Sequence, residues 1–229
     1  MIGHAVFDLD GTLVDSASVC TSIMNQMLVD RGSRRRLTCA DARPYMSIGG
    51  PEMIAALFGE DCGDPVAEIR DFRARYATLP TPMDSLYRGV VTGLARLRHA
   101  GVVLSICSNK PQNLCEKVLE DLGIAHCFAV IVGSSESMPK KPHPAMFEAA
   151  MARSGGSVGE TCFIGDSEPD FEIARTVGVP FIFVGHGYAE CEHFPDSIRC
   201  DDFEHVPARV IETLDYMRGR SRLRMPRVA

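Results

Sequence analysis

The chain of 229 residues has no tryptophan, which excludes no function, but several other absences are informative. No uncharged apolar run approaches the roughly 20 residues that a membrane-spanning helix needs. The nine cysteines, Cys20, Cys39, Cys62, Cys107, Cys115, Cys127, Cys162, Cys191 and Cys200, are odd in number, and no two stand in C-x-x-C spacing. A disulfide framework or a zinc knuckle is therefore not expected; these thiols read as small buried hydrophobes in a reducing compartment. Basic charge is not in excess either. With 24 Lys and Arg against 30 Asp and Glu, the net charge of -6 gives no general pull toward nucleic acid. A basic segment followed by a signal-like apolar stretch is missing at the start, because Asp8 and Asp10 interrupt it at once. A cytoplasmic protein with neither membrane nor nucleic-acid partner is expected. One further absence is local: no lysine occurs between Val14 and Leu86.

What is present is a normal core composition, 45% apolar and 24% charged. Five short apolar runs read as parallel strands: Ala5 to Phe7, Val102 to Cys107, Phe128 to Val132, Thr161 to Ile164 and Phe181 to Val184. They are nearly continuous rather than alternating, as a sheet covered on both faces requires. Helical apolar spacings lie between them, which predicts an α/β fold with an open, mostly parallel Rossmann-like sheet flanked by helices. The stretch after Val14 breaks the alternation. Three helical patterns, around Ile23, Ile54 and Phe72, replace strands there. An insertion at that point sits over the carboxyl ends of the strands, where open sheets bind ligands, and is read as an all-helical cap. The expected organisation is a catalytic core from residues 1–14 and 86–217, a cap from 15–85 and a basic tail from 218–229. Arg31, Arg34, Arg35 and Arg36 form a second basic run; neither run has interleaved aromatics, and both read as solvated.

The chemistry concentrates in four strand-end loops. Asp8 and Asp10 follow the first strand. Ser108, Asn109 and Lys110 follow the second. Lys140 to Pro144 precede a helix, and Gly165 to Asp170 follow the fourth strand. Burying two adjacent carboxylates costs several kcal/mol each without compensation, and a hard cation such as Mg2+ supplies it. Strand-end loops of an open sheet converge on one crevice, so carboxylates, a hydroxyl and an ammonium would meet there. A metal and a lysine draw a phosphate in, while hydroxyl and backbone N–H groups hold its oxygens.

The chain resembles the haloacid dehalogenase-like hydrolases, in particular their phosphoglycolate phosphatase-like branch. The D-x-D-G-T motif is matched by Asp8 to Thr12, the strand ending in Ser or Thr by Ser108, the lysine by Lys141 in K-P-H-P, and G-D-x-x-x-D by Asp166 and Asp170. The likeness runs from Ile2 to about Tyr188 and includes Gly185, Gly187 and Tyr188. It implies that Asp8 attacks phosphorus and Asp10 acts as acid and then base. Asp8, the backbone carbonyl of Asp10 and Asp166 would hold Mg2+. Ser108, the N–H of Asn109 and Lys141 would bind the phosphoryl group, with Asp170 and Thr12 in support. Glu168 is expected in solvent. An aspartate at position 10 separates this pattern from the haloalkanoate dehalogenases, and the lysine-free insertion argues against a Schiff base in the cap.

The substrate is less legible. The loop Met46 to Met53, with Gly49 and Gly50, is the expected cap contact, and Arg43 is a candidate for reading a substrate carboxylate or second phosphate. A small phosphorylated metabolite is expected, with phosphoglycolate the default. Nucleoside monophosphates, sugar phosphates or pyrophosphate are alternatives. So are a phosphosugar mutase and, from a different class, a noncatalytic phosphoprotein-binding or scaffold module. Whether the chain is a monomer or a dimer is not readable.

Overall fold

The computed structural model describes residues 3–189 and 194–224, with side chains as far as Arg220. Cys191 and Arg227, and the side chains of Arg222 and Arg224, lie outside them. Six parallel strands form one sheet: β1 (Gly3–Phe7), β2 (Val102–Pro111), β3 (Val130–Ser134), β4 (Thr161–Gly165), β5 (Phe181–Val184) and β6 (Ile198–Cys200). Their order is β3-β2-β1-β4-β5-β6. β1 is therefore central, pairing with β2 on one side and β4 on the other. The order reverses direction beside β1, the kind of switch point at which open sheets place ligands.

Alternate side chains of β1 serve opposite faces, because a strand repeats every two residues. Ala5 and Phe7 join the core under α5 (Val90–His99), α6 (Gln112–Asp121) and α9 (Val206–Arg224). Val6 points the other way, into the core beneath α7 (Ala145–Arg153) and α8 (Glu168–Val177). That second core is rich in phenylalanine: Phe147, Phe163, Phe181, Phe183 and Phe194 pack ring against ring. Full burial of each ring contributes roughly 1.5 to 3 kcal/mol.

The amino end of β1 is polar but uncharged. His4 is only 2% exposed. Its ring faces Ser105 Oγ at 2.9 Å, Ser154 Oγ at 3.0 Å and Thr161 Oγ1 at 3.4 Å. Burial lowers its pKa to about 4, so the imidazole is neutral near pH 7.

Two features of the sheet depart from the sequence reading. β2 runs on to Pro111, with its register against β3 broken between Cys107 and Pro111. The irregularity falls on Ser108, Asn109 and Lys110 and swings them out of the ladder. β6 was not expected: three residues, with the exposed Arg199 in the middle, carry no strand signature.

The segment after Val14 is helical throughout, with four helices rather than three. They are α1 (Ala17–Asp30), α2 (Cys39–Met46), α3 (Gly50–Phe58) and α4 (Pro65–Thr78). The unforeseen one is α2, which buries only Ala42 and carries Pro44 inside it. A reciprocal Thr38–Asp41 capping box starts it. The chain leaves and re-enters the sheet layer side by side. Val14 bridges Leu86, and the Asp15 N–H donates to the Ser85 carbonyl at 2.7 Å. At the other end, α9 continues to Arg224, so most of the expected tail is helix. No described helix is long and apolar enough to cross a membrane.

Candidate active site

Asp8 and Asp10 leave the carboxyl end of β1, and the loops after β2 and β4 close around them. Gly11 makes the turn possible. Its φ is +83°, and a Cβ there would lie 2.2 Å from Asp166 Oδ2. Only glycine combines that backbone with so close an approach.

Lys141 is the electrostatic centre. Its ammonium sits 2.8 Å from Asp8 Oδ1 and 2.7 Å from Asp170 Oδ1, and all three residues are buried. Burial opposes the lysine's charge, but Asp170 and Asp8 outweigh it and hold its pKa above the ordinary value. Asn109 anchors the backbone that carries it, accepting from Lys141 N at 2.8 Å and donating to Lys141 O at 3.2 Å. Asp170 is fixed in turn by Ser167, whose hydroxyl donates to Oδ2 at 2.6 Å at the start of α8.

Asp8, Asp166 and Asp170 each offer a carboxylate oxygen within 4.8 Å of the others. Thr12 Oγ1 donates to Asp166 Oδ1 at 2.9 Å, and Tyr188 N donates to Oδ2 at 2.8 Å. Burial and the charges of Asp8 and Asp170 still push Asp166 well above the carboxylate range. Asp8 is pushed up to about 6, by burial against the pull of Lys141. Asp8 Oδ1 is buried and makes no aligned hydrogen bond. A set of hard oxygens, mutually repelling and only partly satisfied, fits a divalent cation. Asp170 is engaged on one oxygen by the Lys141 ammonium and on the other by Ser167, whereas Asp8 shares only that ammonium and Asp166 accepts only from neutral groups, which leaves these two as the side-chain donors best suited to a cation.

The Asp10 carboxylate has other partners. Lys110 Nζ lies 3.1 Å from both of its oxygens, and Ser16 Oγ donates to Oδ1. The Tyr76 ring, from α4, covers the same ammonium at 4.4 Å. Ser108, Asn109 and Lys141 line a cleft with Asp8 and Asp10 that encloses about 890 Å³, solvent at its mouth included. The insertion supplies the opposite wall through Met53, Ile69, Phe72, Arg73 and Tyr76.

Comparison with known proteins bears on the family and the fold. The haloacid dehalogenase-like hydrolase profile matches residues 5–184. The chain belongs to that family. A phosphoglycolate phosphatase of Xanthomonas campestris pv. campestris is 35% identical over 208 residues, 90% of this chain and 94% of the relative. One from Rhodobacter capsulatus is 32% identical over 212 residues, 90% and 95% of the two chains. Among solved structures, a predicted phosphoglycolate phosphatase from Haemophilus somnus superposes with a TM-score of 0.77 at 25% identity, covering 90% of this chain and 97% of that one. CbbY from Rhodobacter sphaeroides, in complex with phosphate, shares the fold at a TM-score of 0.73 and 22% identity, covering 90% and 96%. This member of the haloacid dehalogenase-like hydrolases is an enzyme, a phosphoric monoester hydrolase.

Arg43 corrects the sequence reading. It does not line the cleft. It binds Asp15 Oδ2 at 2.9 Å, reaches the carbonyls of His186 and Gly187 at 3.3 and 3.4 Å, and lies 5.2 Å over the Tyr188 ring. It clasps the insertion to the core where the chain crosses. Gly49 and Gly50 do line the cleft, at φ of +59° and +68°. Glu168 is exposed. The reading missed what holds Asp10. In sequence Lys110 stands out only as the residue after Ser108 and Asn109, and nothing in the spacing of Ser16 or Tyr76 points to the site. Gly187 had a signal in G-x-G-Y: a Cβ there would lie 2.2 Å from Asp166 Cβ.

Proposed function

We propose that the chain is a Mg2+-dependent phosphatase that hydrolyses a small phosphomonoester through an aspartyl-phosphate, with phosphoglycolate as the default substrate. The observation that carries this is the setting of Asp8. A buried carboxylate stands at a strand end, 2.8 Å from a buried ammonium, in a cleft that also holds Ser108 and Asn109. A carboxylate nucleophile must approach an anion, and it does so only with fixed positive charge beside it.

Asp8 attacks phosphorus, and the bond to the leaving oxygen breaks. Asp10 gives that oxygen a proton and later takes one from the water that hydrolyses the acyl phosphate. The Ser108 hydroxyl and the Asn109 N–H hold phosphoryl oxygens, while Lys141 balances charge on Asp8 and the phosphoryl group. Asp170 and Ser167 keep the ammonium aimed. Asp8, Asp166 and the backbone carbonyl of Asp10 would hold Mg2+, which neutralises phosphoryl charge when bound. The name of the Xanthomonas relative supports phosphoglycolate. The eight described cysteines are all free thiols, which suits the cytoplasm.

The test is release of inorganic phosphate from a panel of small phosphate esters, with Mg2+ and with EDTA. Release that needs Mg2+ and is fastest on phosphoglycolate is the expected result. Full activity after chelation overturns the metal, and phosphate transfer to a sugar phosphate instead of water overturns the hydrolase reading in favour of a mutase.

A further inference from the structure

The insertion presents one face of α4 to the cleft. Ile69, Phe72, Arg73 and Tyr76 stand at the i, i+3, i+4, i+7 spacing of a single helix face. Ile69, Phe72 and Tyr76 are buried, and Arg73 sits half-buried among them. An arginine on the inward face of a helix ordinarily meets a carboxylate. Arg73 meets none among the described residues, nor any other hydrogen-bond partner. Of the other arginines in the insertion, Arg31 pairs with Glu68, Arg43 with Asp15, and Arg75 with Asp30 and Asp71, while Arg34, Arg35, Arg36 and Arg70 are exposed to water. The buried lysines of the cleft are also spoken for, Lys110 by Asp10 and Lys141 by Asp8 and Asp170. Arg73 is thus a partly desolvated cation without an anion, and burial pulls its pKa down.

We propose that Arg73 binds a second anionic group, a carboxylate or a phosphate, at the remote end of the leaving group, while Ile69 and Phe72 pack against the segment between. This rests on the phosphatase reading and narrows its substrate class. An anion entering from water restores the counter-charge that the fold withholds. The apolar neighbours exclude water and strengthen the pairing, and the planar guanidinium suits either oxyanion. A substrate ending in a neutral group would leave Arg73 unpaired.

The experiment compares parent, Arg73→Ala and Arg73→Lys on four esters. p-Nitrophenyl phosphate has no second anion, phosphoglycolate and phosphoglycerate carry a carboxylate, and fructose bisphosphate carries a second phosphate. The preferred tailed substrate should lose about ten- to a hundredfold in kcat/KM with Arg73→Ala, the size of a lost charged hydrogen bond, and the loss should fall mainly on KM. The loss on p-nitrophenyl phosphate should be smaller by at least about tenfold, and Arg73→Lys should recover part of the difference, since it keeps the charge. Whether the carboxylates or the bisphosphate show the loss identifies the source of the anion. Calorimetric titration of that substrate into Asp8→Asn, with and without Arg73→Ala, reads the same contact without turnover. Equal losses on tailed and untailed esters overturn the proposal, as does a parent enzyme that prefers neutral tails. A parent that releases no phosphate from any ester overturns the phosphatase reading itself, a result visible before Arg73 is changed.

Discussion

The floor and the roof of the cleft are built on opposite rules. On the floor both buried lysines have an opposite charge within hydrogen-bond distance, Lys141 in Asp8 and Asp170 and Lys110 in Asp10, and Asp166 alone among these carboxylates is held only by neutral donors. The roof is mostly apolar, carries one half-buried arginine, and gives that arginine no partner among the described residues. The floor is complete before substrate arrives, apart from what a cation would add between Asp8 and Asp166. The roof is completed by the substrate. Preorganised charge lowers a barrier because it need not rearrange in the transition state, whereas unspent charge discriminates among ligands. Under the proposed function, the reaction belongs to the floor and the choice of leaving group to the roof.

The sharpest way to break this division is Asp8→Asn. Phosphate release should fall by more than about a thousandfold, since residues acting as one catalytic unit fail together. Far-ultraviolet circular dichroism should stay unchanged, and beryllium fluoride should no longer protect the site. Activity within about tenfold of the parent would take the nucleophile away from the floor.

Removing the floor's central cation comes next. Lys141→Ala leaves Asp8 and Asp170 buried without their counter-charge, which should cost about 3 to 5 kcal/mol in urea unfolding. Divalent cation should restore part of it.

The two ends of β1 sharpen the comparison through pH. His4 has a folded pKa of about 4 against 6.5 unfolded, so its contribution is complete above pH 6.5 and is lost as pH falls through 4. Asp8 runs the other way. Its folded pKa of about 6 exceeds the ordinary aspartate value of 3.8, so in EDTA its contribution is largest below pH 3.8 and is lost as pH rises through 6. Each is worth roughly 3 kcal/mol at most. Denaturation midpoints between pH 4 and 6.5 should therefore rise more steeply with pH in Asp8→Asn than in the parent, and less steeply in His4→Gln.

The smallest effect should come from Arg43→Ala. A half-exposed ion pair contributes no more than about 1 kcal/mol, and since Arg43 does not line the cleft, any kinetic loss should be the same for tailed and untailed esters. A loss confined to carboxylated substrates would return it to the roof.

The floor was legible because its residues sit in short strand-end motifs, and an open sheet forces those ends together. Asp8, Ser108, Lys141 and Asp166 stand out through four strand-end motifs taken together and through the family resemblance those motifs carry. The roof was not, because helix faces have no such punctuation. Arg43 and Arg73 look alike in sequence, and only the packing of α2 and α4 decides which meets Asp15 and which meets the cleft. For the same reason α2 escaped notice: with one buried residue and an internal proline it has hardly any apolar period. Lys110 could be placed near the site but not paired with Asp10, since that contact depends on the register break in β2.

Tyr188 ties together two things so far described apart. Its N–H holds Asp166, while its hydroxyl accepts from Ser16 N at 2.7 Å and donates to Asp15 at 2.9 Å, where the chain passes into the insertion. Asp166 and the crossing point are therefore held by one residue, the first through its backbone and the second through its ring hydroxyl. By reciprocity of linkage, a ligand that shifts the crossing must alter cation affinity by the factor with which the cation alters that ligand's affinity. Under the proposed function, loading of an ion at Asp166 and loading of substrate beneath the insertion would be linked through Tyr188.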